Sequence, residues 1–144
     1  EIGYYQQRRW TEAPEQYLKR RLARVLFEER GIRQAVGGAG ATLEAQLTAF
    51  EEIRVPRRVA RVQVIARLSD ERLVRWEETV TVDVPVVAKR GDLADAVVEA
   101  IGLALRSAVD KIADRAVQEV LAAAPGGLQR ISGELRGEAA GRRR

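Results

Sequence analysis

The chain has 144 residues and carries 25 Lys and Arg against 21 Asp and Glu, a net charge of +4, with no His, Cys or Met. That length fits one domain with an adequate core, and the absence of Met points to a processed or trimmed chain. The missing types exclude imidazole bases, Ser-His-Asp triads, thiolate nucleophiles, disulfides and His- or Cys-ligated metals, and no apolar run approaches the ~20 residues of a membrane span.

Residues 1–10 are short, aromatic and partly alternating, and Ile2 and Tyr4 can share a strand face. Thr11 reads as a helix N-cap, followed by Glu12, Ala13 and Pro14 in a first turn, where acids and Pro are favoured. Tyr17, Leu18, Leu22, Val25 and Leu26 recur at helical spacing up to Gly31, with Arg and Lys on the other face. Residues 32–36 suggest a short strand, and Gly37 to Gly40 a turn. Three alternating stretches follow: Leu43, Ala45, Leu47 and Ala49; Ala60, Val62, Val64, Ala66 and Leu68; Val74, Trp76, Val80, Val82 and Val84. Period-two patterning means one buried and one wet face, as in antiparallel sheets. Asp92 opens a long Ala-rich helix reaching about Ala124, stopped by Pro125-Gly126-Gly127. The pattern predicts an α+β fold, an antiparallel-rich sheet of about four to five strands with two helices packed on one face. Residues 1–124 form the single domain and residues 125–144 a flexible basic tail.

The two later strands carry even-numbered apolar sets, so opposed residues should have numbers that sum to an even value, for instance Val64 with Trp76. Such a hairpin needs three or five loop residues unless a bulge intervenes. Leu22, Leu26, Leu47, Val62, Val64, Val82, Val97 and Ile101 are the expected core anchors.

Chemistry is sparse. The glycine run lacks the Lys of a phosphate loop and precedes a strand, so it reads as a turn. The pairs Glu51-Glu52, Glu77-Glu78 and Asp92/Asp95 have no companions that would make acid–base or metal sites. Glu78 sits on the apolar side of its strand and needs a bulge, a rim position or an Arg partner. No cofactor and no metal is expected. The tail from Leu128 to Arg144 holds five Arg and two Glu, +3 of the total +4, leaving about +1 for the rest. Arg20, Arg21 and Arg24, with Lys19, make the best cationic patch, a solvated helix face or a contact for an anionic partner. The sheet's wet face lacks the aromatic platform of RNA-binding sheets.

The run Tyr4-Tyr5, Trp10, Pro14, Leu18, Leu22, Leu26 and Gly31-Ile32, then Leu43 to Phe50-Glu51, Val62 to Leu68 with Asp70, and Asp92-Leu93-Ala94-Asp95-Ala96-Val97 with Ile101 and Leu105, resembles the ABC-type transport auxiliary lipoprotein family, the partners of Mce-type lipid transport systems. The resemblance covers residues 2–121 and rests on the order of its parts. It implies a non-enzymatic periplasmic accessory subunit with no catalytic residues, whose partners are the Mce-domain protein and ABC transporter of the same system. It also implies outer-membrane tethering through a lipid anchor. This chain has no Cys and begins near the Trp strand, so anchor and first strands are not in it. The competing expectation is a nucleic-acid-binding domain using the Arg-rich helix and tail.

One surface is expected to carry assembly. The apolar stripe of the closing helix turns by roughly a quarter circle between its halves, and a helix of about 50 Å outruns a strand of about 36 Å. Its last turns should overhang the sheet and expose Val117, Val120 and Leu121 to a partner or a second copy, the alternative being that the first helix or N-terminal strands absent from this chain cover them.

Overall fold

Pro14 sets where the first helix starts. The residue before a proline is pushed out of the α region, and Ala13 is extended, with φ −65° and ψ 146°. Helix α1 therefore spans Pro14–Ala23 with Ala13 as its N-cap, which contributes no side-chain cap. Thr11, the expected cap, lies outside the described residues. The structure, a computed structural model, describes residues 12–35, 40–71, 73–88, 92–122, 130–132 and 136–139. Past α1 the chain continues as a wider turn, Arg24–Glu29, in which the Arg30 N–H bonds Val25 O five residues back. Gly31, at φ 70°, then reverses the chain as expected, and Ile32 N–H reaches Leu26 O at 2.9 Å.

Strands β1 (Arg33–Ala35), β2 (Thr42–Ile53), β3 (Val59–Ser69) and β4 (Val74–Pro85) follow, then helix α2 (Leu93–Ala122) and two short strands, β5 (Arg130–Ser132) and β6 (Arg136–Ala139). The fold is α+β, with β2, β3 and β4 as a three-stranded antiparallel sheet. β6 lies parallel beside β2, in the order β4-β3-β2-β6, while β1 and β5 form a separate parallel pair. Two stretches of the expected tail are thus strands. Composition marked them as tail because Arg-rich segments this short cannot stabilise a sheet alone; each borrows a neighbour already in place.

The β3–β4 register follows the even-sum rule from Val59↔Pro85 to Leu68↔Trp76. Val64 faces Val80, not Trp76. The loop between Ser69 and Val74 has four residues, and a bulge between Leu68 and Ser69 absorbs the odd one. A second bulge, between Leu47 and Ala49 of β2, was not expected. It inserts Thr48, so every later residue changes face: Ala49 pairs with Gln63 on the outer face and Phe50 with Val62 on the inner one.

All eight expected anchors are buried, from Leu22, Leu26 and Val97 at 0% exposure to Val82 at 7%. Both helices join one core against the inner face of the sheet. Asp92 caps α2, its Oδ1 accepting the Ala94 N–H at 2.9 Å. The buried stripe of α2 runs from Ala94 to Val120 and drifts around the helix as expected. The overhang does not follow. Val120 is 1% exposed and Val117 packs partly buried on the core, while Leu121 alone is open at 72%. The drifting stripe leaves the sheet only to meet α1 and the turn after it, and Arg30 of that turn forms an ion pair with Asp114 of α2.

Candidate functional site

The antiparallel set ends at β4, which has no second neighbour among the described residues. Its free edge can be read residue by residue. Val86 N–H donates to Arg58 O at 3.1 Å, one step beyond the Val59↔Pro85 pair in the same register. Directly opposed residues that bond each other recur every second position in an antiparallel ladder. The even-numbered residues Trp76, Glu78, Val80, Val82 and Val84 therefore bond to β3. The backbone groups of Glu77, Thr79, Thr81 and Asp83 face outward. Pro85 falls in the outward series, where its missing N–H costs the β3 ladder nothing.

The same odd-numbered residues carry the wet side chains. Across the outer face they form rows with β3 and β2: Glu51–Arg61–Asp83, Gln63–Thr81 and Glu44–Arg67–Glu77. Arg61 donates from Nε and Nη2 to the two Asp83 oxygens at 2.8 Å each. Asp83 is held below the usual carboxylate range chiefly by those hydrogen bonds, against a smaller opposing effect of burial. Arg67 lies 3.5 Å from Glu77 and 3.8 Å from Glu44. Gln63 Nε2 donates to Thr81 Oγ1 at 2.8 Å, and Thr48, the bulged residue, donates to Gln63 Oε1 at 3.0 Å.

Two carboxylates stand on the apolar side of the sheet, one near each end. Glu78, the residue that broke the alternation, accepts from Trp76 Nε1 at 3.1 Å and lies 3.7 Å from Arg115, whose guanidinium sits over the Trp76 ring at 5.9 Å. An inward charge on an edge strand is one of the ways proteins discourage indiscriminate edge pairing. Glu52 is the site the sequence reading missed. Its side chain is 1% exposed, Arg58 Nη1 donates to its Oε2, and Arg54 Nε stands 3.6 Å from Oε1, which has no hydrogen bond. Read as half of the pair Glu51-Glu52, it showed nothing; adjacent strand residues face opposite ways, and only Glu51 is wet.

The expected contact residues lie on other elements. Arg20 and Arg21 are on α1 and Arg24 opens the turn after it; each has a carboxylate at hand. Arg20 Nη2 meets Glu12 at 2.6 Å while its guanidinium stacks over Tyr17, Arg21 lies 3.8 Å from Glu29, and Arg24 lies 4.0 Å from Glu28. The Arg20 guanidinium is held above its usual range mainly by its hydrogen bond to Glu12. The apolar trio Val117, Val120 and Leu121 offers one open side chain, Leu121, as described above. The far end of the sheet holds a shallow groove of about 580 Å³ between Pro85, Val87 and Ala88 and the first turns of α2, where Asp92, Asp95 and Glu99 line it. Among the described residues no group of acids has the arrangement of a metal site, and no helix is long and apolar enough to cross a membrane. Comparison with protein-family models, curated proteins and solved structures finds no match for this chain.

Proposed function

We propose that the chain is a non-enzymatic accessory subunit of an Mce-type ABC lipid transport system, acting by protein–protein contact on the periplasmic side of the envelope. In this reading the full precursor is anchored to the outer membrane by a lipid, and its partners are the Mce-domain protein and transporter of its own system. Self-association belongs to the same reading, as does a sheet of four to five strands, in which β6 stands beside the three antiparallel ones. The observation that carries it is the order of the parts. The resembling stretches at Pro14–Leu26, Leu43–Glu51, Val62–Leu68 and Asp92–Leu105 fall on α1, β2, β3 and α2, which share one core. The competing nucleic-acid reading draws no support from Arg20, Arg21 and Arg24, because each already faces a glutamate.

The test is co-purification of the full precursor with the Mce-domain protein of the same cell, both tagged and co-expressed. A complex stable to moderate salt is the expected result. The contrary result is no complex, together with binding to duplex or single-stranded nucleic acid that collapses as salt rises through counterion release.

A further inference from the structure

The edge of β4, unpaired among the described residues, has a register that fits itself, and we infer that two copies of this chain pair antiparallel along it, with Thr79 on the two-fold axis. This inference gives the self-association proposed above a surface and a register, and it is argued from the edge alone. The outward backbone groups belong to Glu77, Thr79, Thr81 and Asp83, so a second copy must set odd-numbered residues against odd-numbered ones. Few such registers keep most of the strand paired. Opposing Thr79 to Thr81 sets Glu77 against Asp83 twice, like charge against like, which is unfavourable across a sheet. Opposing Thr81 to itself sets Glu77 against Pro85, which has no N–H to give. Opposing Thr79 to itself pairs Glu77 with Thr81 on both sides and brings Arg75 opposite Asp83 on both sides.

That last register continues the charge pattern already present within one sheet. The row Glu51–Arg61–Asp83 alternates in sign and ends at the edge on a carboxylate. Arg75 of a second copy supplies the next positive charge. Arg75 is 43% exposed and tethered at 2.7 Å to Asp70 on its own hairpin, which holds it at the end of β4. The other wet row, Glu44–Arg67–Glu77, would meet a neutral Thr81. Thr79 would meet its own copy at the axis, flanked in each sheet by Ile65. The symmetry is closed, as an isologous contact requires, so two copies complete it and no fibre grows. On the inner side Glu78, tied down by Trp76 and Arg115, would stand opposite Val80 of the second copy.

The chain contains no Cys, which makes the register directly testable. Sedimentation velocity of the full chain across a range of concentrations should show a reversible monomer–dimer equilibrium. Thr79→Cys should form a disulfide-linked dimer under mild oxidation, because residues opposed as a hydrogen-bonded pair have Cα atoms about 5.5 Å apart, inside the range a disulfide spans. Thr81→Cys should stay uncrosslinked, its two copies being displaced along the strands. Thr79→Pro removes an edge N–H that β3 does not use, so the monomer should fold with its unfolding midpoint near that of the unmodified chain, while the dimer dissociation constant rises about tenfold or more. A chain monomeric at every concentration, or crosslinking through Thr81→Cys in place of Thr79→Cys, would overturn the proposal.

Discussion

On the inner face of β3, Ala60, Val62, Val64, Ala66 and Leu68 have no exposed surface at all, whereas on its outer face Arg61, Gln63 and Arg67 keep part of theirs and meet neighbours through polar groups. The same eleven residues of strand serve both. The dry side gains from each methylene removed from water, at about 0.8 kcal/mol apiece. The wet side gains little, since exposed ion pairs trade water contacts for one another and salt screens them. The difference teaches that the inner face holds the fold, while the outer rows specify which neighbour, in which register, can join the sheet. Charge acts there as an addressing device more than as glue.

Burial sets the order of the losses expected on substitution. Leu22→Ala or Ile101→Ala removes a side chain with 0% or 1% exposure, and each should lower unfolding free energy in urea by roughly 2–5 kcal/mol. A cost below about 1 kcal/mol at both would mean that the core is not where the inner face puts it. Next comes the one inner-face carboxylate whose partners lie in a turn. Arg58→Ala leaves Glu52 buried without its donor and should destabilise by roughly 1–3 kcal/mol. Adding Glu52→Gln should recover part of that loss, because the neutral amide is cheaper to bury. If the double variant is as unstable as the single one, the cost comes from lost packing of the Arg58 stem instead.

The smallest effect belongs to the outer face. Asp83 is held below the usual carboxylate range by Arg61, so the folded state binds its proton less readily than the unfolded chain. Stability from this pair is complete above the ordinary carboxylate range and is lost as pH falls through the depressed folded value. Asp83→Asn should therefore lower the urea midpoint slightly at neutral pH and converge with the unmodified chain in acid, which flattens the acid limb of a plot of midpoint against pH. An acid limb identical in both proteins would show that the pair contributes nothing to folding.

Much of this arrangement is legible in the amino-acid order, and the gaps have physical causes. The alternation of Val62, Val64, Ala66 and Leu68 predicted which side is dry, and the even-sum rule held along the hairpin, although the loop has four residues and the bulge came as the exception to the expected three or five. The bulge at Thr48 left no trace, because Leu43 to Ala49 alternate straight through it and only pairing with Gln63 and Val62 shows that the faces exchange. Glu52 was invisible as a buried charge for the same reason, its face depending on that bulge and its partner Arg58 lying across a turn. The drift of the α2 stripe was readable from spacing, but what covers Val120 is a long-range question. Which strand lies at an edge is likewise a matter of topology that no local pattern encodes.

Amide hydrogen exchange along β4, followed by NMR, tests the central claim most directly. In dilute, monomeric protein the amides of Glu78, Val80 and Val82 should be protected by their bonds to β3, and those of Glu77, Thr79, Thr81 and Asp83 should exchange fast. Raising the protein concentration should slow the second set and leave the first unchanged. Protection of Thr79 and Thr81 already in the dilute monomer, or exchange with no alternation between odd and even residues, would contradict the open edge and the register on which the account rests.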